Sequence, residues 1–262
     1  MNALRLALLQ CESRPGDVAL NLRRLDEACR DATAAGAQLL VTPEMFLTGY
    51  NIGGAAAAAF AEPAEGERER AVAALARWHG IAIVFGHPER RPGGEIGNTA
   101  VCVDASGRTL ARYRKTHLFG DLDQGMFSAG AGDEPPFDFH GWKIGMLICF
   151  DVEFPENTRR LALQGAQLIV VPTANMVSFD FVAQHLVPTR AYENQVFVAY
   201  ANFCGEEAGI AYNGLSCVAA PDGTVLSRGD RQPTLLLADL KRDALAAARR
   251  QLGHLDACRG AS

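Results

Sequence analysis

Apolar and polar positions along the chain keep two rhythms. Leu4 to Leu9 is a short apolar run that reads as a buried strand. Leu22, Leu25, Cys29 and Ala32 then recur every three or four residues, one face of a helix. Gln38 to Val41 is the next buried strand, closed by Pro43. A small-residue patch, GGAAAAAF, leads into a helical stretch from Glu65 to Trp78, which Gly80 ends. Ile81 to Phe85 is another strand. Asn98 to Asp104 and Thr109 to Lys115 flank the turn Ala105-Ser106-Gly107 and read as a hairpin. Ile144 to Ile148 is a buried strand running straight into Cys149, and Arg242 to Gln251 reads as a C-terminal helix.

The second half repeats the grammar of the first. GAQLIVVPT from Gly165 echoes GAQLLVTPE from Gly36, and CVAAPDGTVLSR from Cys217 echoes CVDASGRTLAR from Cys102. The offsets differ, 165 − 36 = 129 against 217 − 102 = 115, so these are two related halves with an insertion and not tandem repeats. The class is α/β. Two halves, each a sheet with helices on one face, can pack sheet against sheet as a four-layer α-β-β-α sandwich. A doubly wound sheet is the other arrangement this pattern allows. No linker stands out, so residues 1–262 are read as a single domain.

Composition narrows the function classes. The formal charge is 25 − 30 = −5 and no basic stripe appears, which argues against nucleic acid. No apolar run approaches the roughly 20 residues of a membrane span. The start, MNALRLALLQCESRPGD, lacks the basic opening and longer apolar region of a signal peptide, so a cytoplasmic protein is expected. The cysteines are odd in number, 7, with no CxxC pair, which is not a disulfide framework. HExxH, GxSxG, GxGxxG and the P-loop pattern are absent, and the 6 histidines are scattered. No metal and no organic cofactor are expected.

Ligands of α/β sheets sit beyond the carboxyl ends of strands. Three reactive side chains follow strand signals directly. Glu44 follows LLVTP, where burial would raise its pKa towards that of a useful base. Lys115 ends RTLARYRK and could stabilise an oxyanion. Cys149 follows the run IGMLI. Its thiol attacks as a thiolate, which an ammonium favours and a carboxylate base can generate. Taken singly, each has an ordinary alternative: a capping carboxylate, a solvated lysine, a small buried thiol. Together their roles are complementary. His117 is the histidine nearest these residues in sequence.

At these residues the chain resembles the nitrilase superfamily of carbon–nitrogen hydrolases. PEMFLTGY carries Glu44, YRKTHLF carries Lys115, GMLICFDVEFPE carries Cys149, and RAYENQVFVAYAN follows. The resemblance covers nearly the whole chain. It implies the α-β-β-α sandwich, a Glu-Lys-Cys triad and a thioester intermediate. It makes Glu44 the general base, Lys115 an oxyanion donor, Cys149 the nucleophile and the Phe150 N–H the second oxyanion donor. Tyr50, His117 and Asn175, inside matching motifs, would line the substrate pocket. Many members carry a second glutamate before a Phe-x-x-Gly run. Here that run is Phe127 to Gly130, and Asp123 or Asp121 would fill the place. Phe150-Asp151 after the cysteine is the amidase-like form, most similar to 5-aminopentanamidases and R-selective amidases. The resemblance therefore implies a small, aliphatic, possibly ω-amino primary amide as substrate and a homodimer or larger homo-oligomer. The alternative is an N-carbamoyl amine hydrolase. A non-catalytic binding protein on the same fold has no need of all three residue types. A redox thiol would want a second cysteine nearby. Whether Asp151 or Glu153 faces the pocket or braces the turn is open.

Overall fold

A computed structural model of the chain describes residues 3–260. The first half runs β1 (Ala3–Glu12), α1 (Val18–Ala34), β2 (Leu39–Val41), α2 (Gly53–Phe60), α3 (Glu67–His79), β3 (Ala82–Arg90), β4 (Ile96–Val103), β5 (Thr109–Arg114) and α4 (Gly120–Gln124). The second half runs β6 (Phe137–Phe139), β7 (Trp142–Met146), a 3-10 turn (Cys149–Glu153), α5 (Pro155–Leu163), β8 (Leu168–Thr173), α6 (Val187–Asn194), β9 (Phe197–Glu207), β10 (Ile210–Asn213), β11 (Cys217–Ala219) and β12 (Val225–Arg228). The chain closes with β13 (Thr234–Lys241), α7 (Arg242–Leu252) and α8 (His254–Gly260).

The strands form two matching sheets, β13-β1-β2-β3-β4-β5 and β6-β7-β8-β9-β11-β12. In each, three central strands are parallel and the flanking strands antiparallel. The sequence echoes fall on equivalent elements, β2 with β8 and the β4–β5 hairpin with the β11–β12 hairpin. Cys11 and Glu12 of β1 pair with Phe203 and Cys204 of β9, which ties the sheets together.

Alternation along the strands builds the layers. Leu4, Leu6, Leu8, Leu39, Val41, Ala82 and Val84 share one buried cluster with Trp142, Ile144, Val170 and Phe197 of the other sheet. The intervening Ala7, Leu40, Ile83 and Phe85 share another with Leu25 and Cys29 of α1 and Val72 and Ala76 of α3. Successive strand side chains point to opposite faces, so one face of this sheet meets the second sheet and the other meets helices. Leu161 of α5 and Val187 and Ala191 of α6 cover the second sheet. The architecture is the four-layer α-β-β-α sandwich, and the doubly wound alternative falls. Burial of each such Leu or Val contributes about 1.5–3 kcal/mol, enough to hold strands as short as β2.

Several boundaries move for identifiable reasons. β1 runs past Leu9 because β13 pairs with its length and β9 catches its end. GGAAAAAF forms a helix of its own, α2. β7 stops at Met146, two residues before the expected end, although the Leu147 N–H still donates to Val170 O at 3.1 Å. α3 ends at Gly80 in a left-handed conformation, φ 67°, as its sequence predicts. The hairpin turn is closed by Asp104, whose Oδ1 accepts from the N–H groups of Ser106 and Arg108 at 2.9 and 3.0 Å.

Candidate active site

Glu44 leaves the carboxyl end of β2 and is pinned there by its backbone N–H, which donates to Thr173 O of β8 at 3.1 Å. Its side chain is fully buried. Oε1 accepts from Lys115 Nζ at 2.8 Å and Asn98 Nδ2 at 2.7 Å, while Oε2 has no hydrogen-bond partner among the described residues. Asn98 on β4 serves both residues, since its carbonyl accepts from the Lys115 N–H at 2.9 Å.

Lys115 follows β5 and is also fully buried. Its ammonium sits between Glu44 and Asp123 Oδ2, the latter at 2.6 Å, and 5.5 Å from the centre of the Tyr50 ring. Asp123 is buried at the end of α4, where the same oxygen accepts from the Phe119 N–H at 2.8 Å. Asp121 is exposed. Asp123, not Asp121, therefore meets the lysine, one carbon shorter than a glutamate but carried close by α4.

Cys149 opens the 3-10 turn with φ 46°, a conformation L-residues enter at a cost. That bend turns the side chain out of the line of β7. Asp151 holds the bend. Its Oδ2 accepts from Ile148 N at 3.2 Å and Tyr113 Oη at 2.9 Å. Its Oδ1 accepts from Thr116 N at 3.3 Å, Thr116 Oγ1 at 2.8 Å and His117 N at 2.8 Å. One oxygen thus faces the cysteine turn and the other the segment after Lys115. Asp151 braces the turn, which answers half of the question left by the sequence. The Asp151 N–H makes the first bond of the turn, to Ile148 O at 3.0 Å, so the Phe150 N–H lies ahead of the bonded ring.

Burial raises the Glu44 pKa; Lys115 pulls it down, Asp123 pushes it up, and the net direction is up. Burial lowers the Lys115 pKa, but Glu44, Cys149 and Asp123 more than offset this and hold it well above the ordinary lysine value. The Cys149 thiol is raised by burial and then by Glu44; Lys115, Thr173 and the Ala174 backbone pull it back only in part. The pull of Lys115 on the thiol is outweighed, and the net direction is up.

The remaining expected residues take distinct places. Tyr50 is buried beneath Lys115, and its hydroxyl pKa is raised by burial and by Glu44, Asp123 and Cys149. His117 stacks on Phe154 at 3.8 Å and turns Nδ1 to Asp151 Oδ1 at 3.0 Å. The Phe150 ring meets Phe119 and Phe154 edge-on at 5.4 and 5.0 Å. Asn175 braces its own loop, donating to Phe179 O at 3.1 Å and accepting from Met176 N at 3.0 Å. Asn98, Tyr113 and Thr173 escaped the sequence reading. The available signal was a polar side chain inside a buried strand, as in IGNTAV and LIVVPT. Among the described residues no group of three His, Cys, Asp or Glu is placed to hold a metal ion, and no helix is long and apolar enough to cross a membrane.

The profile of the family described as Carbon-nitrogen hydrolase matches residues 5–250. The chain belongs to the carbon–nitrogen hydrolase family. As a carbon–nitrogen hydrolase it is an enzyme, and its relatives agree in length as well as sequence. It is 51% identical over 95% of its length to the Pseudomonas protegens protein named "Hydrolase in pqqF 5'region", covering 87% of that protein. It is 36% identical over 96% of its length to an (R)-stereoselective amidase of a Pseudomonas species, covering 90% of that protein. The crystal structure of an amidase from a Nesterenkonia species superposes with a TM-score of 0.82 at 37% identity, covering 95% of each chain.

Proposed function

We propose that this carbon–nitrogen hydrolase is an amidase that converts a small aliphatic primary amide to an acid and ammonia through a thioester on Cys149. The observation that carries this is the buried Glu44–Lys115 pair, near enough to the Cys149 thiol for both charges to act on it, with one Glu44 oxygen bonded and the other unpartnered among the described residues. Buried unpartnered oxygens cost about 1–3 kcal/mol each, and Asp123, the other carboxylate on Lys115, carries a second one in Oδ1.

The chemistry follows from the charges. Glu44 takes the Cys149 proton as sulfur attacks the carbonyl carbon. The oxygen becomes an oxyanion between Lys115 Nζ and the Phe150 N–H, each donor contributing about 3–4 kcal/mol. Glu44 returns its proton to the departing nitrogen, the C–N bond breaks, and ammonia leaves the thioester. Water, deprotonated by Glu44, then cleaves the C–S bond, releasing the acid and restoring the thiol. Asp123 holds Lys115 throughout.

The Nesterenkonia amidase supports this reading, having been seen with acrylamide added at its active-site cysteine and, in another structure, in complex with butyramide. A homodimer and a cytoplasmic location complete the proposal. The exposed Leu163, Val177, Phe181 and Tyr192 offer apolar surface that self-association would cover, and the free thiols of Cys11, Cys29, Cys102, Cys149, Cys204 and Cys217 support a reducing compartment.

The test is ammonia release over aliphatic, amino-acid and N-carbamoyl amides, with CO2 measured alongside. Ammonia without CO2, lost in a folded Cys149→Ala variant, is expected. CO2 in equal amount would identify an N-carbamoyl hydrolase. Undiminished turnover in the variant would sink the mechanism.

A further inference from the structure

Lys115 and Cys149 come from different halves of the chain, and each segment is tied first within its own half. The Lys115 N–H donates to Asn98 O at 2.9 Å, and its carbonyl accepts from Gly130 N at 2.8 Å. The Cys149 turn is held from α5 and α6. Asn157 Nδ2 donates to Asp151 O at 2.9 Å, and Arg190 donates to Val152 O and Glu153 O at 2.9 and 2.7 Å. Among the described residues, every hydrogen bond between residues 113–117 and residues 148–153 ends on one carboxylate, that of Asp151.

Its partners flank both reactive groups. On the lysine side they are Tyr113 Oη, two residues before Lys115, and Thr116 and His117, the two residues after it. On the cysteine side the partner is the N–H of Ile148, directly before Cys149. Tyr113 is buried in the cluster the two sheets share. Burial and the Asp151 charge hold its hydroxyl pKa well above the ordinary value, so it stays a donor. Each Asp151 oxygen also faces a backbone N–H, which can only donate. A carboxylate accepts on both sides, whereas an asparagine of the same shape would turn its own N–H groups on one of these donors. Cys149, with φ 46°, keeps that costly conformation only while the surrounding bonds hold it.

We propose that Asp151 is a positioning residue: it locks the Cys149 turn to the Lys115 segment, so that sulfur and ammonium meet the carbonyl in one fixed geometry. This rests on the amidase reading and adds to it the part that sets nucleophile against oxyanion donor. Asp151 acts through Cys149 and Lys115 and takes no proton itself.

The experiment compares wild type, Asp151→Asn and Tyr113→Phe, each assayed well below its own unfolding temperature. Ammonia release from an aliphatic primary amide gives kcat and KM. Alkylation of Cys149 by iodoacetamide, followed by mass spectrometry, reads the placement of the thiol without turnover. Asp151→Asn is expected to lower kcat by about 10²-fold, with KM nearly unchanged, and to slow alkylation. Tyr113→Phe removes one bond on the lysine side and is expected to lower kcat by about tenfold; it carries the test if Asp151→Asn does not fold. A lower unfolding temperature with kcat and alkylation rate unchanged, or a loss confined to KM, would reduce Asp151 to a structural brace and overturn the proposal while leaving the amidase intact. Should wild type hydrolyse no amide, the amidase reading falls, and the alkylation rates alone decide whether Asp151 places the thiol.

Discussion

Glu44 binds Lys115 and Asn98 through one oxygen and leaves the other unpartnered among the described residues, the one the proposed mechanism uses. Its raised pKa has a kinetic consequence. The base works ionised, so kcat/KM falls as pH drops through its pKa, and that limb lies above the ordinary glutamate value of 4.5. Lys115 stays charged past its ordinary 10.5, so no loss from the lysine enters below that pH. Glu44→Gln is expected to lose about 10²–10⁴-fold in rate and the acid limb with it. A limb at or below the ordinary value, measured in a pH–rate profile, would show that another group is the base. The neighbours of the thiol also correct intuition. Asp151, two residues from Cys149, hydrogen-bonds Tyr113, Thr116 and His117, whereas Glu44, about a hundred residues away, pushes on the thiol's pKa. Closeness in sequence selects the brace, and the fold selects the base.

At the scale of elements, the site is made by strand ends meeting. The Glu44 loop turns tightly after Pro43 and presses on β3, where Gly86 leaves room for it; a Cβ at Gly86 would collide with the Met45 backbone nitrogen. Gly86→Ala is therefore expected to destabilise by about 1–3 kcal/mol and to lower kcat at least tenfold by shifting Glu44. Thermal unfolding and ammonia release read the two effects, and an unchanged kcat would mean that the loop is held by other contacts. Much of this frame was legible in the sequence. Buried strands announced themselves as apolar runs, and Gly80 and the Ala105-Ser106-Gly107 turn marked their neighbours' ends. What stayed hidden depends on contacts between distant segments. Asn98 reads as a polar interruption of β4 until Glu44 and Lys115 are placed against it. Asp121 and Asp123 cannot be ranked until α4 turns one to the lysine and the other to solvent.

Across the whole molecule, the two echoing halves build equivalent sheets and, in the proposed mechanism, divide the reaction between them. The first half supplies Glu44 from β2 and Lys115 from β5; the second supplies Cys149 from the turn after β7. Their face-to-face packing, through Leu4, Leu6 and Leu8 against Ile144, Val170 and Phe197, brings Glu44 and Lys115 to Cys149. The central claim is covalent: carbon becomes bonded to the Cys149 sulfur between the departure of ammonia and the entry of water. Acid-quenched turnover of a hydrolysed amide, followed by intact-mass and peptide mass spectrometry, tests it most directly. The account predicts one acyl group per chain, on the peptide containing Cys149, with one ammonia released for each. Ammonia release with an unmodified Cys149 peptide at every quench time, or an acyl group on another residue, would contradict it.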